Sequence, residues 1–458
     1  MLPKTVIHSI GNLIGKDKIT AEKEDLVCYS YDAMNQSFMP DAVVFPENTQ
    51  DIAKLLKLAN EQGIPVVPRG AGSGQTGGAV PAQGGIVLSF EDMRKIIRIN
   101  RENLSAIVEP GVITGELHKA VESLGLFYPP DPASLDFCTI GGNVAENAGG
   151  VRAVKYGVTR DYVLGLEVVL PDGRIINPGH ETVKDVAGYD LTGLFVGSEG
   201  TLGAITRVIL KLLPKPRTKI TFLAAFRRVV DSLNTVTKIF GLGILPSAIE
   251  FIDRTCIKLV KEHAKISVPD ETEALLLIED DGSEEAVRFS GTIIESALKN
   301  CGASSIEKAV MPDRIQELWR ARRAISPSLA KISRHKLNED VVVPRNQLSA
   351  LLSATYPIAE KHSLTCANFG HAGDGNIHVN ILYNDKNEKE RAMLAVEEIM
   401  KKTVELGGTI TGEHGIGLAK KPFIKIELSD AELSILRKIK GVFDPNNILN
   451  PGKIFPEA

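Results

Sequence analysis

Residues 68–81 read PRGAGSGQTGGAVP, and whether this stretch opens a helix decides the fold. A strand-like run, Ile64 to Val67, leads into it. Gly72-Ser-Gly74-Gln-Thr-Gly77 matches the GxGxxG spacing of a nicotinamide-binding crossover, with Glu91-Asp92 downstream. That motif needs its last glycine to start a helix whose N-terminal amides face a pyrophosphate. Here Gly78-Ala-Val-Pro81-Ala-Gln-Gly84-Gly85 follows, and glycine and proline at this density do not sustain a helix. The nicotinamide crossover is rejected on that ground. Five glycines between residues 70 and 78 exceed what a plain turn needs. The segment is predicted to be an extended loop whose closely spaced amides form a nest for a diphosphate.

Outward from this loop, Val43-Val44-Phe45 is strand-like, and Ile52, Leu55, Leu56 and Ala59 recur at helical spacing until Gly63. This β-α-β entry precedes short β-like runs, GGIVLSF, SAIVEPG, GLEVVLPDGRI and LGAITRVILKLLP, separated by glycine turns. Two further segments place small residues and amides close together, PPDPASLDFCTIGGNVAENAGG at 129–150 and VGSEGTLGAITRV at 196–208. The character changes after Pro214 and Pro216, where strand-like segments (KITFLAAF, ALLLIED) alternate with amphipathic ones. A domain boundary is predicted near 215–218. A helix is expected over about Glu388 to Leu406, with Ala392, Ala395, Val396, Ile399 and Met400 on one face and Gly407-Gly408 as its stop.

At 458 residues the chain suits two domains. A net charge of −4, spread along the chain, gives no reason to expect nucleic acid. No apolar run reaches the roughly 20 residues of a membrane helix. The N-terminal MLPKTVIHSIGNLIGKDK lacks the apolar length and cleavage site of a secretory signal. The cytoplasm is the expected location, with peripheral association at the inner membrane left open. The five cysteines, Cys28, Cys138, Cys256, Cys301 and Cys366, are scattered and never form CxxC, which argues against a disulfide scaffold and an iron–sulfur cluster.

Of nine histidines, three fall in two short segments, CANFGHAGDGNIHVN (366–380) and GTITGEHG (408–415). Two imidazoles and a carboxylate make a plausible divalent-metal site with an open position, and a histidine beside the carboxylate makes a plausible base. If Asn376 to Leu382 is a strand, Asn376, His378 and Asn380 share one face, and Ile377, Val379 and Ile381 share the other. The apolar face is expected to pack on helices. Asp374 can orient a ligand histidine or simply hold its own turn. WRARRAIS (319–326) reads as a helix whose arginines are mostly solvated.

Together, PRGAGSGQTGG, TIGGNVAENAGG, GSEGTLGAIT, GHAGDGNIH, TGEHGIG and DPNNILNPGKIF resemble, in order and over nearly the whole chain, the motifs of the flavoprotein family typified by vanillyl-alcohol oxidase and p-cresol methylhydroxylase. More narrowly the chain resembles the D-2-hydroxy-acid dehydrogenase branch, which holds glycolate oxidase flavin subunits, D-lactate dehydrogenases and D-2-hydroxyglutarate dehydrogenase. The resemblance implies an α+β protein. A helical cap would span 1–37, a two-lobed FAD-binding domain 38–217, and a C-terminal cap domain 218–458, with an antiparallel sheet covered by helices. It implies that FAD meets Arg69, Gly70, Ala71, Gly72, Ser73, Gly74 and Gln75 with its diphosphate. Pro132, Ser134, Thr139, Gly142, Asn143, Ala145 and Asn147 would line the ribityl and flavin, with Glu199, Gly200, Ile205 and Asn450 adding contacts. Some relatives attach flavin through a histidine in the first glycine loop; this loop has none, so FAD is expected to be noncovalent.

By the same resemblance His371, His378 and Glu413 are metal ligands, with zinc suited to the set and iron or manganese open. His414 is the base. Arg322 is the carboxylate clamp, and Ser326 and Asn380 are substrate contacts. The lysine expected on the substrate side is not matched: Asn338 stands there, with Lys336 nearby. That departure argues against 2-hydroxyglutarate and for a small substrate such as D-lactate or glycolate. The expected activity is oxidation of a D-2-hydroxy acid. Electrons would pass to an iron–sulfur subunit, an electron-transferring flavoprotein or a quinone, and a homodimer is compatible with it. The rivals are an alkyl-ether-lipid synthase of the same fold, a non-catalytic flavoprotein subunit, and a metal-dependent hydrolase that would leave the glycine segments unexplained.

Overall fold

The computed structural model describes residues 2–34, 36–263, 266 and 268–457. Two compact units emerge. The first comprises 1–149, 158–215 and 413–458, and the second 150–157 and 216–412.

In the first unit, β1 (Ile19–Thr20), β2 (Ala42–Val44), β3 (Val66–Arg69) and β4 (Ile86–Ser89) form a sheet in the order β1-β2-β4-β3, parallel except for β1. The helix Thr49–Gln62 connects β2 to β3. Asn48 caps it by accepting from the Asp51 amide at 3.0 Å, and Gly63 ends it at φ 64°. Its predicted stripe, Ile52, Leu55, Leu56 and Ala59, packs on Val44, Val66, Ile86 and Leu88. No helix follows the glycine loop; residues 70–85 are turns and bends that lead into β4. Three of the predicted β-like runs supply β6 (Ser105–Val108), β8 (Val163–Val169), β9 (Ile175–Ile176) and β10 (Ala204–Lys211), and β5 (Ile96–Asn100) joins them from outside those runs. These make an antiparallel sheet in the order β5-β6-β10-β8-β9, while β7 (Leu126–Phe127) pairs with β11 (Leu213–Pro214).

The last stretch of chain also belongs here. Residues 413–458 pack in the first unit. The reason is an open strand edge: β3 is the last strand of its sheet, and an unpaired edge is satisfied by another segment. The Val66 amide donates to Ile448 O at 2.8 Å, and the Asn450 amide donates to Val66 O at 2.8 Å. Asp444 and Lys440, both buried, lock this segment. Asp444 accepts from the Ile448 and Leu449 amides at 3.0 and 2.8 Å and pairs with Lys440, whose ammonium also reaches Thr201 O and Leu449 O.

The second unit is one antiparallel sheet of seven strands. They are β12 (Thr218–Phe226), β13 (Ala248–Asp253), β14 (Ala274–Gly282), β15 (Ser305–Ala309), β16 (His335–Val342), β17 (Thr365–His371) and β18 (Asn376–Tyr383), in the order β15-β12-β14-β13-β17-β18-β16. Register fixes the faces. His378 lies between Phe369 and Asp340, Asn380 between Ala367 and Asn338, and His371 beside Glu250. Helices Arg254–His263 and Pro312–Arg323 cover the apolar part of this face, where Leu223, Leu277, Ile252 and Phe369 meet Ile257, Leu318 and Trp319. The opposite face takes the helices Glu284–Asn300 and Leu348–Lys361. Gly291 approaches Ile220 and Phe222 there, and Asn368 bonds Thr355. The helix Lys389–Glu405 packs on β16 and β18 and buries all five residues predicted for its inner face.

Asp444→Ala leaves the Lys440 ammonium buried without its carboxylate. Breaking such a pair costs about 3–5 kcal/mol. Urea denaturation of the purified protein should show a loss of that order; an unchanged midpoint would contradict the clamp.

Candidate functional site

The first unit gathers four of the six motif segments at the glycine loop. Among the described residues the amides of Gly70, Ala71, Gly72, Ser73 and Gly74 donate no hydrogen bond. Gly72 at φ 66° turns the loop tightly enough that a Cβ there would strike the Arg69 guanidinium. A run of unspent amides of this kind fits an anionic diphosphate. Arg69 itself points inward: its side chain is buried and donates to Tyr31 O at 2.8 Å and Ala79 O at 3.2 Å, so the guanidinium braces the base of the loop. Lys453, which the sequence did not single out, braces the other end through Gly77 O at 2.7 Å and Val80 O at 2.5 Å. Burial lowers its ammonium to about 8.

The 129–150 segment carries the short helix Ile140–Glu146, N-capped by Thr139. Asn143 turns its amide inward to Thr114 Oγ1 at 2.8 Å, and Asn147, at φ 52°, accepts from the Arg160 amide at 2.9 Å. Pro132, Ser134, Gly142 and Ala145 remain half-exposed along it, and Ile205 is buried in β10. Glu199, at φ 51° and buried, grips the TGEHGIG segment. Its two carboxylate oxygens accept from the Ile416 amide at 2.8 Å and the Gly417 amide at 2.7 Å. Burial raises this carboxyl above the usual range even though the two amides favour its charge. Thr76 adds a second tie, donating to His414 O at 3.0 Å and accepting from the Leu418 and Ala419 amides. Asn450 donates to Gly78 O and Glu199 O, both at 2.8 Å, beside Gly200. Its buried Oδ1 has no partner among the described residues and so offers an acceptor to a bound group.

In the second unit, the Gly373-Asp374-Gly375 turn joins β17 to β18 and sets the His371 and His378 rings 5.2 Å apart, edge to face. The Asp374 amide donates to His371 O, as a turn requires. Arg322, alone of the three arginines in WRARRAIS, is buried. Its guanidinium lies 4.7 Å from the Phe369 ring centroid. The residue that unites these groups is Glu250, which the sequence reading passed over. Fully buried, it accepts from Arg322 Nε at 2.6 Å and Nη2 at 2.5 Å on one oxygen, and from His371 Nδ1 at 2.6 Å on the other. Burial alone would push its carboxyl up, but Arg322 and His371 draw it down to about 2. A signal was present, since an acid in AIEFID (248–253) interrupts an apolar strand.

The remaining predicted contacts lie on the same unit. Asn380, fully buried, donates to Ala367 O at 3.2 Å and His378 O at 3.1 Å, and its Oδ1 has no partner among the described residues. Ser326 receives Lys336 Nζ at 2.9 Å. Lys336 stands two residues from Asn338, hence on the same face of β16. Asp340, another residue the sequence reading missed, anchors the start of TGEHGIG by accepting from the Gly412 amide at 2.8 Å.

Comparison with known proteins agrees with this architecture. Residues 215–454 match the family model for FAD linked oxidases, C-terminal domain, and residues 40–179 match an FAD binding domain. The chain is 45% identical to the glycolate oxidase subunit GlcD of Bacillus subtilis (strain 168), covering 99% of this chain and 97% of that one. It is 38% identical to a D-lactate dehydrogenase of Anaerostipes hadrus, covering 91% and 89%. Its fold matches that of p-cresol methylhydroxylase with substrate bound at a TM-score of 0.82, with 21% identity, covering 98% and 96%.

Two outcomes are expected from these contacts. In Glu199→Gln one carboxylate oxygen becomes an amide donor facing a backbone N–H. Losing that bond costs about 1–3 kcal/mol, so hydrogen exchange at Ile416 and Gly417 should accelerate roughly tenfold or more; unchanged protection would refute the clasp. Glu250 is held near 2 against an ordinary 4.5. Its contribution to stability is therefore complete above about 4.5 and is lost as pH falls toward 2. Urea midpoints of wild type and Glu250→Gln should converge across that window; a constant gap would contradict an ionised Glu250.

Proposed function

Because this chain belongs to the FAD-linked oxidases, we propose that it oxidises a small D-2-hydroxy acid, D-lactate or glycolate, to the 2-oxo acid. The chain is an FAD-dependent oxidoreductase acting on CH–OH groups. The observation that carries the substrate reading is the buried Arg322–Glu250–His371 chain of the second unit. It combines a cation suited to a carboxylate with an imidazole whose Nδ1 is held by Glu250.

The roles follow from donor counting. Glu250 takes two of Arg322's five N–H groups, which leaves the outer end of the fork to clamp the substrate carboxylate. His371 commits Nδ1 to Glu250, so Nε2 is the nitrogen suited to a metal ion. His371, His378 and Glu413 are the ligand set we assign to it, a nitrogen-rich set that suits zinc. A bound divalent ion would supply Lewis-acid stabilisation of the substrate hydroxyl oxygen. His414 removes the hydroxyl proton. Asn380 orients the substrate with its unspent Oδ1, and Ser326 closes the pocket beside Lys336. Bound FAD would accept the Cα hydride at N5. It would be held noncovalently, with its diphosphate on the amides of residues 70–74 and its ring near Asn450.

Electrons are passed on to an iron–sulfur subunit, an electron-transferring flavoprotein or a quinone, as the scattered free cysteines hold no cluster motif. No helix among the described residues is long and apolar enough to cross a membrane. We place the protein in the cytoplasm, with peripheral association at the inner membrane left open.

Anaerobic titration of the FAD-loaded protein with D- and L-hydroxy acids should bleach the flavin with a small D-acid; no bleaching by any of them would reject the function. His414→Ala and Arg322→Ala should each abolish that bleaching while FAD stays bound. Near-normal reduction in either would remove its assigned role. Chelation should suppress reduction and added zinc should restore it, whereas active protein shown by elemental analysis to be metal-free would defeat the metal assignment.

A further inference from the structure

We propose that Glu250 is a positioning residue that holds the ion-facing histidine and the substrate-facing arginine in one frame, so that metal affinity and substrate-carboxylate affinity depend on the same side chain. This rests on the function proposed above and goes further, because it couples two binding events through a residue that touches neither ligand.

The geometry supports it from both ends. A carboxylate accepts and does not donate, so the 2.6 Å contact from His371 Nδ1 requires that nitrogen to carry the proton. The tautomer is thereby set, and the Nε2 lone pair is the one offered to an ion. On the other oxygen, Nε and Nη2 of Arg322 converge at 2.6 and 2.5 Å. With the guanidinium also 4.7 Å from the Phe369 ring centroid, its plane is fixed from two directions. The backbone keeps the three elements in register. Glu250 is the direct partner of His371 across β13 and β17, and Phe369 is the next same-face residue on β17. Glu250 is fully buried, so water cannot replace it at either contact. A residue serving only to neutralise a buried arginine would have no need to reserve an oxygen for His371.

The test uses FAD-loaded protein with Glu250→Gln, and with Glu250→Asp as the variant that keeps the charge but withdraws it by one methylene. Zinc affinity is measured by competition with a chromogenic chelator. KM and kcat for D-lactate are measured separately, and urea midpoints report stability. In Glu250→Gln, zinc binding should weaken about 10–100-fold, the usual effect of losing an outer-shell partner of a ligand histidine. KM should rise at least as clearly as kcat falls, and Glu250→Asp should lie between it and wild type. Lowered stability with zinc affinity and KM both at wild-type values would overturn the proposal and leave Glu250 a structural acid. A change in one observable without the other would overturn the sharing. Wild-type protein that binds no zinc, or whose flavin no hydroxy acid reduces, would overturn the underlying function and this inference with it.

Discussion

A carboxylate removed from water must be answered by protein donors or pay heavily for its charge, and the second unit is organised around one such answer. Glu250 has no exposed surface and keeps its charge because Arg322 and His371 supply three donors between them. Replacing the arrangement with hydrocarbon would cost the sheet little, since apolar substitutes for buried pairs are often neutral or better. What hydrocarbon could not do is fix the orientation of an arginine and an imidazole at once. The neighbouring pair repeats the device one helical turn away. Trp319, three residues before Arg322, donates from its indole to buried Glu279 at 2.7 Å. The helix Pro312–Arg323 is thus pinned to the sheet by two acids, one beneath each end of its Trp-x-x-Arg pattern.

The first unit solves a different problem, that of ordering loops that have no secondary structure of their own. Backbone amides and carbonyls in such loops need partners, and here distant motifs supply them to one another. Glu199 satisfies two amides of TGEHGIG, Thr76 satisfies the next two, of Leu418 and Ala419, and holds the carbonyl of His414, and Asn450 and Lys453 satisfy carbonyls of the glycine loop. The amides of residues 70–74 are among those left over. Ordering by side chains of other segments, rather than by a helix, lets a glycine-rich run keep its donors pointed outward.

This explains which parts were legible in the sequence. Periodicity and stop signals mark the inner face and the end of the helices Thr49–Gln62 and Lys389–Glu405, because burial of one face imposes a period. Strand β18 is buried along both faces and alternates for a different reason, its polar side facing other buried polar groups. The absence of a helix after residue 78 was equally legible from Pro81 and the glycine pairs. Spacing does not say where a polar side chain points. Arg69, Asn143 and Glu199 sit in motif segments, yet their side chains turn to backbone or to Thr114 and serve the scaffold. Conversely, Glu250, Asp340 and Lys453 were passed over because a single polar residue in an apolar or turn context carries no periodic signature, and only register reveals its neighbour. The pairing of residues 448–450 with Val66 is hidden for the same reason, since an open edge on β3 cannot be seen in a one-dimensional string.

Charge accounting on the sheet face gives the small-acid reading a physical basis. Arg322 and Glu250 cancel, so the pair offers geometry for a carboxylate without net attraction. Lys336 is drawn to Ser326 instead of projecting as a second clamp. In the function proposed above, a divalent ion at the histidines would add the missing positive charge. A single carboxylate would then be matched by one arginine fork, and a second would meet no further cation in the Arg322–Glu250–His371 arrangement. The substrate proposed above, with one carboxylate and a hydroxyl on the adjacent carbon, would let the arginine and the ion read both groups together.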